Sequence, residues 1–172
     1  MRNRTSGFTL IEVLVVLVVG ATFFVFGVAR YRDFASRQFI INARRQLVSD
    51  LRIAQKDAIS GRKPQNVTPS CQGELLGYEF EFTNLNSGPS NTQAEYTISV
   101  SCDVSGVAVL RTQTIPSIRV QLSSGSANPI LFEPLTQGTN LSADLTIQLV
   151  DALNPTYTQT LRVDRNGEVN VE

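Results

Sequence analysis

A predominantly apolar run from Phe8 to Ala29 stands near the start of this chain, with one carboxylate, Glu12, inside it. As a helix the run is about 33 Å long, against a bilayer hydrocarbon core of about 30 Å. A chain of 172 residues, 42% of them hydrophobic, holds one compact domain plus an appendage, so the run is read as the appendage. Burying it as a core helix demands a larger soluble domain than the rest of the chain supplies.

Beyond Ala29 the apolar positions thin out and become periodic. Phe34, Ile41 and Val48 recur every seven residues, and Leu47, Leu51, Ala54 and Ala58 fall at helical spacing beside a basic face. Proline is absent before Pro64, and Ser60-Gly61 followed by Arg62 and Lys63 makes a helix C-terminus. One continuous helix from about Phe8 to about Ser60 is expected. After Pro64 the period changes to two. Tyr78, Phe80 and Phe82 alternate with Glu79 and Glu81, and Tyr96, Ile98 and Val100 alternate with Thr97, Ser99 and Ser101. GVAVLRTQ, SIRVQLS, PILFEP, LTIQLVD and TQTLRVD read as further strands, separated by the turn stretches NLNSGPSNT, SSGSANP, TQGTN and ALNP. In LRVDRNGEVNV, Asn166-Gly167 predicts a hairpin turn with positive φ at both central residues. The fold class is α+β: a long N-terminal helix packed on an antiparallel β-domain. The divisions are residues 1–7 as leader, 8–29 as the lipid-like half of the helix, 30–61 as its amphipathic half and 64–172 as the β head.

Charge is zero in sum and uneven in position. Arg30 to Lys63 carries nine basic and three acidic residues, a balance of +6, whereas Pro64 to Glu172 carries four basic and eleven acidic residues, a balance of −7. The asymmetry points to a partner for each half, or to a solvated helix face beside an acidic domain. Cys71 and Cys102 both lie in the second half. In an oxidising compartment they form one disulfide, closing a loop of roughly 30 residues and contributing on the order of 3 to 4 kcal/mol. Elsewhere they are two buried thiols.

The chain contains no histidine, which removes the commonest general base and metal ligand together. Two cysteines make a poor zinc site, and Glu79 and Glu81 alternate with aromatics as solvent-facing strand residues do. Ser124-Gly125-Ser126 lacks the lysine of a phosphate loop, and Asp144, Asp151 and Asn154 show no calcium-ligand spacing. No enzyme activity, cofactor or metal is expected.

Four readings compete for the first thirty residues. A cleavable secretory signal has its basic residues in Arg2 and Arg4 and its small-residue cleavage site at Gly27-Val28-Ala29, but the apolar stretch is long for one. A permanent anchor fits the length and gives no reason for Glu12. A buried core helix is the third. The fourth rests on the string Gly7-Phe8-Thr9-Leu10-Ile11-Glu12, behind a basic leader and ahead of an apolar run. It resembles the prepilin processing site of type IV pilins and type II secretion pseudopilins. The resemblance implies cleavage by prepilin peptidase after Gly7, N-methylation at Phe8 and an assembly role for Glu12. It further implies lipid around the helix before assembly, and inner-membrane assembly machinery and other pilin or pseudopilin subunits as partners.

Arg2 and Arg4 at one end of the run and Arg30, Arg32 and Arg37 at the other leave its orientation undecided by charge. The cysteine pair and the resemblance place the head outside the cytoplasm, on a single-pass protein of the bacterial inner membrane. The second half resembles the GspH/FimT-type minor pseudopilins and minor pilins, in LRIAQKDAIS, in PILFEPLTQG and in the closing LRVDRNGEVNV. Phe132, Pro134 and Gly138 match an F-x-P-x-G-like stretch, with Gly138 later than in the simplest pattern. The resemblance implies a low-abundance subunit at or near the tip of a pilus or pseudopilus. A DNA-uptake branch binds DNA through basic C-terminal residues; here only Arg162 and Arg165 stand there, beside Asp164, Glu168 and Glu172, and DNA is not the expected partner.

Overall fold

The computed structural model describes residues 9–65, 67–83, 85, 93–123, 127–135 and 138–171, and only the backbone of 27–29. Gly7, Phe8, Glu172, most of NLNSGPSNT, the Ser124-Gly125-Ser126 stretch and part of TQGTN lie outside the described residues. A helix, α1 (Leu10–Ile59), is followed by eight strands, β1 (Leu75–Phe82), β2 (Gln93–Cys102), β3 (Gly106–Pro116), β4 (Ile118–Leu122), β5 (Ile130–Phe132), β6 (Leu145–Asp151), β7 (Thr158–Val163) and β8 (Val169–Val171). This is the expected α+β, pilin-like layout. The chain divides into two compact units, residues 1–38 and 39–172.

In the N-terminal unit the described residues from Leu10 onward form helix, and every side chain from Leu10 to Phe26 is exposed. Thr22 is polar, but its hydroxyl donates to the Val19 carbonyl at 2.7 Å, so the helix satisfies that group itself.

In the second unit the strands form two four-stranded antiparallel sheets, in the orders β3-β2-β1-β5 and β4-β6-β7-β8. Alternation decides which side chains face the core. On β1 and β2 the inward residues are Tyr78, Phe80, Phe82, Tyr96, Ile98 and Val100, all buried. Phe80 stacks on Tyr96 with ring centroids 4.8 Å apart. The second sheet contributes Leu145, Ile147, Leu149, Leu161 and Val163 to the same core.

The helix joins that core through Ile40, Ala43, Leu47, Leu51, Ala54 and Ala58. Of the predicted seven-residue series only Val48 is buried in the core; Ile41 is half-buried, and Phe34 is exposed in the N-terminal unit. Ile41 sits about 100° around the helix from Ile40, and the stripe is completed by alanines that a hydropathy pattern underweights. The helix stops where Gly61 adopts φ +62°. Gly61 N–H donates to Ala58 O at 2.9 Å and Arg62 N–H to Asp57 O at 3.2 Å, the paired bonds of a Schellman cap.

The last hairpin differs from expectation. Its turn is centred on Arg165 and Asn166, closed by Gly167 N–H to Asp164 O at 2.9 Å, and of the Asn-Gly pair only Gly167 takes positive φ, at +85°. The Asp164 carboxylate also accepts the Glu168 N–H at 2.8 Å, which favours the longer turn over the two-residue one.

Candidate functional site

The helix begins at a built N-cap. Glu12 N–H donates to Thr9 Oγ1 at 3.3 Å and Val13 N–H to Thr9 O at 3.2 Å, so Thr9 is the N-cap residue and Glu12 the third helical position. Thr-x-x-Glu is a capping-box spacing, and an acid in the first turn complements the positive end of the helix dipole. That spacing was present in the sequence, and it sets the Glu12 carboxylate in the first turn of the helix. Glu12 is exposed at the start of an exposed apolar helix.

Within the second unit, helix and sheet are joined by a buried polar group that the sequence reading missed. Asp50, 4% exposed, interrupts the apolar stripe. Its Oδ2 accepts the Tyr96 hydroxyl at 2.6 Å and its Oδ1 accepts Arg111 Nη1 at 3.2 Å. A β-bulge lets β3 supply that arginine: Ile98 pairs with Arg111 and Ser99 with Val109, leaving Leu110 as the extra residue and turning Arg111 inward. Burial, and then the bond to Asp50, push the Tyr96 phenol well above its ordinary pKa. The sequence signal was an aspartate three residues after Leu47 and four before Ala54, on the core face of the helix.

Two more contacts hold the helix end. Arg52 Nη2 donates to the Val169 carbonyl of β8 at 3.1 Å, and the Tyr78 hydroxyl donates to Arg62 O, just past the Schellman cap, at 2.6 Å. Cys71 and Cys102 form a disulfide across a sequence separation of 31 residues, with Cα atoms 5.6 Å apart. It ties the segment before β1 to the end of β2.

A family model described as the prokaryotic N-terminal methylation motif matches residues 2–28, and one described as type II transport protein GspH matches residues 43–167. The chain belongs to the GspH family. It is a minor pseudopilin or pilin subunit, of a family that is structural and not enzymatic. No curated protein matches the chain, and no solved structure does.

The GspH-like features of the head can be placed in this geometry. Phe132 is buried and pairs with Tyr78, Glu133 N–H donates to Gly138 O at 3.1 Å, and Leu135 N–H donates to Ala58 O at 3.4 Å. Leu135 thus lies against the C-terminus of the helix, where carbonyls lack partners within the helix. Leu135 takes φ +61° there and is 79% exposed.

Other residues singled out in the sequence are not brought together. Asp144 is ion-paired with Arg162, and that contact holds its carboxyl below the usual range. Asp151 lies at the far end of β6 from Asp144 and accepts the N–H groups of Leu153 at 2.8 Å and Asn154 at 3.3 Å, as a turn former does. Glu79 and Glu81 sit on the outer face of the first sheet, opposite Ser99 and Thr97.

Proposed function

We propose that this GspH-family subunit is cut by prepilin peptidase after Gly7, N-methylated at Phe8 and assembled into a type II secretion pseudopilus. In this reading residues 1–7 are the leader. Residues 8–29 cross the inner membrane and then join the helix bundle of the filament, and residues 30–61 form the stem that carries the head. The head, residues 64–172, stands outside the cytoplasm, in the compartment where a Cys71–Cys102 disulfide persists. Inner-membrane assembly machinery and other pseudopilin subunits are the partners.

The observation that carries the reading is the exposed apolar helix with its single carboxylate in the first turn. Cleavage after Gly7 creates a cationic amine at Phe8, four residues before Glu12 in the sequence. In a low-dielectric bundle, pairing that amine with Glu12 of the same or a neighbouring subunit lowers the cost of both charges. A pair made between subunits also fixes axial register.

Glu12→Leu is the test. The variant is expected to insert into the membrane as the wild type does and to be recovered in filaments at a small fraction of the wild-type level. Normal incorporation would remove Glu12 from the assembly mechanism. A DNA-uptake role finds less support, since Arg162, one of the two basic residues of the last hairpin, is engaged by Asp144.

A further inference from the structure

Two four-stranded sheets have four edge strands, and three of these are short or already engaged. β5 is three residues long and is held by Asn140, whose Oδ1 accepts the Leu131 N–H at 2.9 Å and whose N–H donates to Leu131 O at 3.1 Å. β4 is bridged at Val120 by Leu85, and β8, again three residues, gives its Val169 carbonyl to Arg52.

β3 is the exception. It runs for eleven residues and has β2 as its one neighbour. Among the described residues, no backbone N–H or C=O of Gly106–Pro116 bonds to anything beyond β2. In an antiparallel pair about half of a strand's N–H and C=O groups point away from its partner, so the far side of this ladder is open. Folded proteins blunt such an edge with lysine, with proline or with a covering segment. β3 has no lysine, its one charged residue, Arg111, is drawn to Asp50, and its proline stands at the last position. It does carry the bulge at Leu110 and two exposed valines, Val107 at 51% and Val109 at 56%, which lie opposite Ser101 and Ser99 on the outer face of the sheet.

From this open ladder we infer that β3 accepts an added strand from a different protein: an extended, flexible segment with β-branched or aromatic residues at alternate positions. The backbone row fixes the extended shape, since a strand presents donors and acceptors at the spacing of the ladder. Val107 and Val109 set the alternation, because every second side chain of the added strand falls beside them, where apolar cross-strand pairs are favourable. The bulge selects a flexible segment. It sharpens the local twist, so the edge of another sheet, β3 of a second copy included, cannot align along the whole strand, whereas a single segment follows the twist. The inference goes beyond the proposed function and does not depend on how the N-terminus is processed.

The test uses the full chain in detergent with a synthetic peptide of alternating threonine and valine, ended by lysine on both sides. A second probe is the same peptide N-methylated on successive central residues, which removes donors from both of its edges. The first peptide is expected to slow amide hydrogen exchange in Gly106–Pro116 and to leave β4, β5 and β8 unchanged. The N-methylated peptide is expected to bind more weakly by about tenfold or more. Val107→Ser with Val109→Ser is expected to weaken the first peptide by about three- to tenfold. Both positions are exposed, so the variant keeps the wild-type melting temperature, and the N-methylated probe tests the same point on the unaltered chain. Equal binding of the two peptides, no slowing of exchange in β3 up to the solubility limit of the peptide, or protection of another edge instead overturns the inference. So does exchange in β3 that is already slow in concentrated protein and quickens on dilution, because a second copy then occupies the edge.

Discussion

Replacing Cys71 and Cys102 together with alanine is expected to lower the stability of the head by about 3 to 4 kcal/mol, equivalent to roughly 10 to 20 °C in its melting temperature. The bridge spans 31 residues, long enough for the closed loop to restrict the unfolded chain substantially. The folded state loses local order as well. Besides the bridge, the segment before β1 is held by Gln72 N–H on Ser105 Oγ at 3.0 Å, Val104 N–H on Gln72 O at 3.2 Å, Asp103 N–H on Glu74 O at 2.9 Å and Lys63 Nζ on the Gly73 carbonyl, with Val67 packed on the core. Denaturant midpoints of the full chain in detergent, with and without reductant, check this. The wild type should fall to the level of the double variant on reduction, and the double variant should not respond.

The second large effect belongs to Asp50. Asp50→Ala leaves the hydroxyl of the fully buried Tyr96 without an acceptor and Arg111 without its carboxylate. The loss expected is about 2 to 3 kcal/mol, with Asp50→Asn milder because an amide oxygen still accepts the phenol. In a Tyr96→Phe background the same alanine substitution should cost at least about 1 kcal/mol less, since the orphaned hydroxyl is gone. Equal costs in the two backgrounds would mean that the bond does not couple helix to sheet.

The same bond has an alkaline signature. Burial and Asp50 raise the Tyr96 pKa in the folded state above its ordinary value of 10.0, so the proton is held more tightly folded than unfolded. The associated stability is complete below pH about 10 and is lost as pH rises from there toward the folded value. Tyr96→Phe should flatten that alkaline decline. Tyr78, raised by its own burial and by Asp57, accounts for the part that remains.

The sequence made the order of elements readable because each is driven by a strong local pattern. The helix has an unbroken apolar run followed by an amphipathic stripe, and Tyr78-Glu79-Phe80-Glu81-Phe82 alternates without a break. What it left open depends on partners distant in the chain. β5, only three residues long, pairs with β1, and nothing in Ile130–Phe132 names that neighbour. The division into two sheets follows from such choices, among short strands that many antiparallel orders could satisfy. Asp50 was hidden for a related reason: on the helix it reads as one charge among many, and only Tyr96 and Arg111, brought in by β2 and the bulge in β3, make it structural. Local competition explains the Asn166-Gly167 turn, where the Asp164 side chain moved the closure by one residue. Glu12 was legible as an anomaly in an apolar run, and its place after the Thr9 cap required the helix start itself.

The central claim is that this chain is a processed filament subunit, and the mass of its N-terminal peptide after expression with a prepilin peptidase tests it most directly. The account predicts a chain that begins at Phe8 and carries one methyl group on that amine. A chain that retains Met1 to Gly7, or one that begins at Arg30 after signal cleavage, would contradict it.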